Sequence, residues 1–227
     1  MAGVMARSAT DRMPLGIVTG LRDEARIARA IGEVEAGGGT PWGAELAAER
    51  LVARGATALI SFGLCGGLDP TLKAGDVVIP LAVLEIGDSY ATDGKLAKAA
   101  GGWFGGILFA SETTIVTHEA KRRLFETTRA AAVDMESGAV ARVAGRYDLP
   151  FAVIRAVCDP ASRTLPPAAL VALDAEGSVQ LGRVLGSVWR RPSQLPELAR
   201  MARDAALARR ALQRVARALA RRLAMAS

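Results

Sequence analysis

A single histidine, His118, and two cysteines, Cys65 and Cys158, are all that 227 residues contain of the usual soft metal ligands. That scarcity excludes the Cys/His sets of recognised spacing that hold zinc, and neither a metal nor an organic cofactor is expected. With no histidine near either thiol in the sequence, both cysteines read as small buried residues rather than nucleophiles. His118 follows Thr117 at a helix start and reads as a solvated surface residue. No apolar run approaches the roughly 18 to 20 residues that a membrane span needs. The opening MAGVMARSATDRM lacks the apolar stretch of a signal peptide, so a cytoplasmic protein is expected. Aromatics are 4% against 51% hydrophobic residues, which leaves Ala, Val, Leu and Ile to build the core.

The net charge of +6 is unevenly placed. Much of it lies in LPELARMARDAALARRALQRVARALARRLAMAS, where Leu198, Met201, Ala205, Ala208, Leu212, Val215 and Leu219 recur at three- and four-residue steps. This spacing predicts a basic amphipathic helix over 195–227. Two readings of it stand: a helix packed on the domain or on a second subunit, or an interfacial helix whose apolar face enters an anionic membrane boundary at the inner face of the cell membrane. Nucleic acid is not expected, since the segment has no aromatics for stacking and no recognised fold motif.

Ahead of that helix, residues 1–14 read as a flexible N-terminus and 15–190 as one catalytic domain. Short apolar runs alternate with helical patterns: LGIVT (15–19), TALISF (57–62), DVVIPLAVLEI (76–86), GILFA (106–110), AAAV (130–133) and PFAVIRAVC (150–158). Strands separated by helices imply an α/β fold, a three-layer α/β/α arrangement around a largely parallel or mixed sheet. Ligands in such folds bind at the carboxyl ends of strands.

Four features sit at those ends. GIVTGLRDEAR puts Glu24 where a helix begins, and VCDP holds Asp159 extended ahead of Pro160. AAVDMESGAV passes from strand to helix through Met135 and Glu136, where the helix N-terminus should keep Glu136 ionised. SFGLCGG carries Gly63, Gly66 and Gly67, which fit neither the dinucleotide fingerprint nor the P-loop and read as a tight strand-to-helix turn. A glutamate opening a helix is usually a cap, so neither Glu24 nor Glu136 alone identifies a site.

Taken in order, GIVTGLRDEA, ALISFGLCGGLDPTLKAGDVVIP and AAVDMESGAVARVAGRYDLPFAVIRAVCDPAS resemble the purine nucleoside phosphorylase and 5′-methylthioadenosine/S-adenosylhomocysteine nucleosidase superfamily over residues 15 to about 185. Within it the chain most resembles the hopanoid-associated phosphorylases, which implies an adenine nucleoside as substrate, adenosylhopane in hopanoid biosynthesis, and a homo-oligomer. The resemblance implies that Glu24 orients and deprotonates the attacking water and that Asp159 protonates the purine at N7. It implies further that Glu136 accepts the ribose hydroxyls, Met135 packs on the ribose and the backbone of Cys65 and Gly66 lies along the sugar. Ile115 matches the position whose backbone reads the adenine edge. Two departures matter: Thr114 stands where the nucleosidases stack an aromatic ring, and Ser61-Phe62-Gly63-Leu64 replaces the R-x-G-[ST] that holds phosphate in the phosphorylases.

These residues suit glycosidic C–N cleavage, which needs an acid for the leaving base and a carboxylate beside a ribose that gains positive charge. Burial should raise the pKa of Asp159 so that it carries or shares a proton near neutral pH. Since a leucine side chain cannot hydrogen-bond an anion, hydrolysis is favoured over phosphorolysis, unless Arg22 or Arg26 holds phosphate instead. A nucleoside- or lipid-binding protein that has kept the fold is the third alternative.

Overall fold

The computed structural model describes residues 14–102, 104, 106–165 and 195–225. The N-terminal stretch apart from Pro14, segment 166–190 of the expected domain, and the last two residues fall outside the described part.

The apolar runs become strands because each places hydrophobic side chains on both faces of one sheet. The chain order is β1 (Leu15–Thr19), α1 (Arg22–Ala28), β2 (Glu33–Ala36), α2 (Pro41–Ala53), β3 (Ala58–Gly67), β4 (Val77–Val78), β5 (Ala82–Leu84), β6 (Ser89–Ala91) and α3 (Gly94–Ala100). It continues with β7 (Ile107–Ala110), α4 (His118–Thr128), β8 (Ala132–Asp134), α5 (Ser137–Arg146), β9 (Phe151–Asp159) and α6 (Leu195–Met225). Among the described residues the strands form one mixed sheet of order β2-β1-β3-β8-β7-β5-β6, with β9 paired to β3 and β4. The β1–β2, β1–β3, β3–β9, β5–β7 and β7–β8 pairs are parallel, whereas β3–β8, β4–β9 and β5–β6 are antiparallel.

Successive residues of the central strands enter opposite layers, as a period of two requires. Leu59 and Val153 join α2 and α5 in one core cluster, while Ile60 and Ile154 join α1, α3 and α6 in the other. Small side chains let the helices sit close: Ala44, Ala47 and Ala48 of α2 face Ala139, Val140 and Val143 of α5.

Three elements differ from the sequence expectation, each for a local reason. The run DVVIPLAVLEI is not one strand, because Pro80 lacks an N–H and separates β4 from β5, which pair with different partners. The half-exposed β2 and β6 have no apolar run to announce them. The glycine cluster is not a strand-to-helix turn. It is the second half of a ten-residue β3, where the chain keeps β9 on one side and takes β8 as an antiparallel neighbour on the other.

The basic C-terminal segment is a helix, and it packs on the domain: Ala208, Ala211, Leu212, Ala216 and Leu219 belong to the cluster that contains Ile60 and Ile154. The centre of the apolar face that an interfacial helix would insert into a membrane is therefore covered by the domain, with Leu198, Met201, Ala205 and Val215 half-buried, and the exposed Arg200, Arg210, Arg214, Arg217 and Arg221 lie outside it. No described helix is long and apolar enough to cross a membrane. Because Leu212 is fully buried, Leu212→Ala is expected to cost about 2 to 5 kcal/mol, read from the midpoint of urea unfolding. A shift near zero would mean that this face is not part of the core.

Candidate active site

Arg155 is the organising residue. It lies mid-strand in β9, in a run otherwise apolar, and only 1% of it is exposed. Its Nη2 lies 2.6 Å from Asp134 Oδ2 and 2.8 Å from Glu136 Oε2, and donates to Ser61 Oγ at 2.7 Å. Its Nη1 donates to the Leu64 carbonyl at 3.2 Å. One guanidinium thus ties β9 to β3, to the end of β8 and to the start of α5.

Glu24 enters from α1. As the third helical residue it reaches back to accept the Leu21 N–H at 2.8 Å, the ordinary duty of a glutamate at that place. A pure cap would be solvated, but Glu24 is buried, and its other oxygen accepts the Leu64 N–H across the gap at 2.9 Å. Burial raises its pKa, with Arg155 and the backbone donors opposing. Gly63 is required here: a Cβ would sit 2.7 Å from Arg155 Nη1 and 2.8 Å from Glu24 Oε2.

Glu136 departs from the sequence expectation. It occupies the N-cap position of α5 but makes no side-chain cap bond. Asp134 does that work, accepting the Ser137 N–H at 3.2 Å and the Ser137 hydroxyl at 2.5 Å. Glu136 is free to turn toward Arg155, and burial, aided by the charges of Asp134 and Glu24 against Arg155, pushes its pKa up to about 7. Desolvation outweighs the helix N-terminus, so Glu136 is not held firmly ionised at neutral pH.

Asp159 ends β9 beside Gly66, with which it is in register. Its Oδ2 is ion-paired to Lys121 of α4, while its Oδ1 is buried and, among the described residues, has no hydrogen-bond partner. Burial raises its pKa and Lys121 opposes. Leu64, which holds Glu24, and Gly66, beside Asp159, are two residues apart on β3, about 7 Å.

The remaining predicted residues surround this line. Cys65 lies between those two glycine-segment positions, and Gly66 also pairs with Val133 of β8. Met135 is half-buried, with its sulfur 3.4 Å from the Thr114 hydroxyl. Ile115 is half-buried against the small cluster of Leu68, Ala130 and Val133. His118 is exposed, its Nδ1 2.9 Å from the Ala161 carbonyl. The cysteines are poor nucleophiles: burial raises the Cys65 thiol well above its ordinary value and pushes Cys158 up to about 12.

Sequence reasoning missed Arg155, Asp134 and Lys121. A signal existed for Arg155, since a charge inside a wholly apolar central strand must be buried and paired. None existed for Lys121, one cation among several on a polar helix.

The family model of the phosphorylase superfamily matches residues 34–101 and 103–188, more than half of the chain. The chain belongs to the phosphorylase superfamily. Among curated members, the 5′-methylthioadenosine/S-adenosylhomocysteine nucleosidase of Mycobacterium bovis is 25% identical over 181 residues, 59% of this chain and 66% of that protein. The nucleosidase of the same name from Listeria monocytogenes is 30% identical over 137 residues, 46% of this chain and 58% of that protein. The chain thus spans less than two thirds of these relatives' length. A solved 5′-methylthioadenosine/S-adenosylhomocysteine nucleosidase from Colwellia psychrerythraea, in complex with adenine, superposes with a TM-score of 0.61 at 21% identity, covering 78% of this chain and 96% of that one. The superfamily fold is therefore shared, with its mixed sheet between helical layers.

Within this superfamily fold the acid–base state of Glu136 is open to measurement. A carboxyl whose pKa is near 7 when folded and 4.5 in the reference state favours the fold below about pH 4.5 and loses that contribution as pH rises through 7. Glu136→Gln should remove this decline, a difference of order 3 kcal/mol between pH 4.5 and 8. Parallel pH–stability curves for the two proteins would show that Glu136 is not perturbed.

Proposed function

We propose that the chain is a nucleosidase that hydrolyses the N-glycosidic bond of an adenine nucleoside. The observation that carries this reading is the gathering of three buried carboxyls in different settings along residues 63–66 of β3: Glu24 on backbone donors, Glu136 on Arg155, and Asp159 with one oxygen unpartnered. Their arrangement suits one reaction. Water attacks C1′ as the C1′–N9 bond breaks, Glu24 takes the water proton, and Asp159 Oδ1 gives a proton to N7 of the departing adenine. Burial raises the pKa of both carboxyls, the direction that makes Glu24 a stronger base and helps Asp159 to hold a proton for transfer. Glu136 as a carboxylate accepts the ribose hydroxyls and offsets the positive charge that develops on the sugar. Met135 packs on the ribose, the Cys65–Gly66 backbone lies along it, and Thr114 and Ile115 border the base.

Hydrolysis is favoured over phosphorolysis by what already occupies the glycine segment. The Leu64 N–H is held by Glu24, and the Ser61 hydroxyl by Arg155 and Ser137. An incoming phosphate would meet the charges of Glu24, Glu136 and Asp134. Of the two arginines that could replace the missing phosphate ligand, Arg26 is exposed and paired with Asp23 at 2.8 Å, and Arg22 is exposed. For the 5′ substituent, the sequence resemblance favours a hopanoid chain over the methylthio and homocysteinyl groups in the relatives' names.

The test is adenine release from adenosine, 5′-methylthioadenosine and adenosylhopane, with and without phosphate. Adenine and a free sugar are expected, unaffected by phosphate, with adenosylhopane the best substrate. A phosphorylated sugar formed only with phosphate would make the protein a phosphorylase, and no release from any of them would leave a binding protein. Asp159→Asn, which keeps the shape but carries no carboxyl proton, should lower the rate by about 10² or more.

A further inference from the structure

We infer that Lys121 is a positioning residue for the leaving-group proton: it pins Oδ2 of Asp159 so that Oδ1 alone faces the base, and it stabilises the carboxylate left when that proton departs. This rests on the nucleosidase reading above. Lys121 has no exposed surface, although Glu119, Arg122, Arg123 and Glu126 on the same helix face solvent. Besides its ion pair with Asp159, its ammonium donates to the Arg163 carbonyl at 3.0 Å and the Pro160 carbonyl at 3.3 Å, and lies 3.5 Å from the Asp159 carbonyl. All three N–H donors are thus directed at the end of β9 and the turn after it, which fixes the side chain without any contact to the solvent.

A lysine ammonium is a point charge that engages one carboxylate oxygen at a time, so its pairing leaves the second oxygen of Asp159 to be accounted for. Among the described residues Oδ1 is buried and unpartnered, a costly arrangement unless a ligand atom meets it. The Lys121 charge matters most after proton transfer. While Asp159 holds its proton the pair is an ion beside a neutral acid, and as the proton moves to N7 it becomes an ion pair. The interaction strengthens along the reaction, which is the condition for accelerating it. Among the described residues, the other charged or titratable groups around Asp159 are Arg163, which adds to the effect of Lys121, Asp204 of α6, which opposes it and pairs with Arg163 at 2.7 Å, and the thiols of Cys158 and Cys65. Arg163 acts on Asp159 from a distance while paired with Asp204, and both thiols are neutral, so among the described residues Lys121 is the cation in direct contact with the acid.

The experiment is adenine release by the full-length protein, with kcat and KM measured from pH 5 to 10. Lys121→Met should lower kcat tenfold or more with KM changed by less than about threefold. It should also move the basic limb of the kcat profile upward by about one unit, because the acid has lost its stabilising cation. Lys121→Arg, which keeps the charge, should return the limb toward its original place. The deciding comparison is Lys121→Met in the Asp159→Asn background, which leaves neither charge unpaired. If Lys121 acts through Asp159, the double variant has the kcat of Asp159→Asn alone. A further tenfold loss in that background, an unmoved pH limb in the single variant, or failure of the double variant to fold would each show that the lysine is structural and overturn the inference. If the unsubstituted protein releases no adenine, or Asp159→Asn turns over normally, the nucleosidase reading fails first, a result separate from these.

Discussion

The site depends on one buried guanidinium. Arg155 lies inside the central strand pair, where an isolated charge would be prohibitive, and it is tolerated because Asp134, Glu136, Ser61 and the Leu64 carbonyl converge on it. The dependence runs the other way as well. Without that cation, three carboxyls would be packed into a region with little water, and their mutual repulsion would drive protons onto them or force the strands apart. The fork geometry matters too, since donors spread in one plane reach two acids and two strands at once, which a point-charge lysine cannot do. Gly63 follows from it, because any side chain there would collide with the guanidinium and with Glu24.

The acids are thereby divided into two settings. Glu24 and Glu136 share the field of Arg155 and stand at the starts of α1 and α5, while Asp159 sits apart with its own lysine from α4. Separate cations let neighbouring carboxyls hold different protonation states at one pH, which is how acid and base roles are assigned on many folds. The superfamily fold supplies the convergence of strand ends and does not by itself choose the reaction. In the nucleosidase reading proposed above, that choice lies with residues such as Leu64 and Ser61, whose hydrogen-bonding groups are committed within the protein.

The C-terminal helix shows the same division between pattern and placement. Its apolar stripe was plain in the sequence, and a stripe is equally suited to a protein core and to a membrane boundary. The sheet settled it, because the face of β3 and β9 bearing Ile60 and Ile154 needed cover. The glycine cluster was likewise visible, but its meaning was not. A strand that pairs with β9 along its length and with β8 only at its end cannot be told from a turn by composition.

What the sequence determined by itself was the fold class and the identities of three strand-end carboxyls. Continuous apolar runs bounded by helical patterns specify strands buried on both faces, and Pro160 and the strand-to-helix junctions place Asp159, Glu24 and Glu136 at their ends. What only the tertiary structure decided was their ionisation and their partners. Local rules made Glu136 a helix-stabilised carboxylate, whereas burial beside Asp134 and Arg155 moves its pKa to about 7. Nothing in HEAKRRLFETT marked Lys121 as buried, because its partner lies 38 residues away in the chain. Electrostatic energy depends on distance in space and on the exclusion of water, and neither is written in the order of residues.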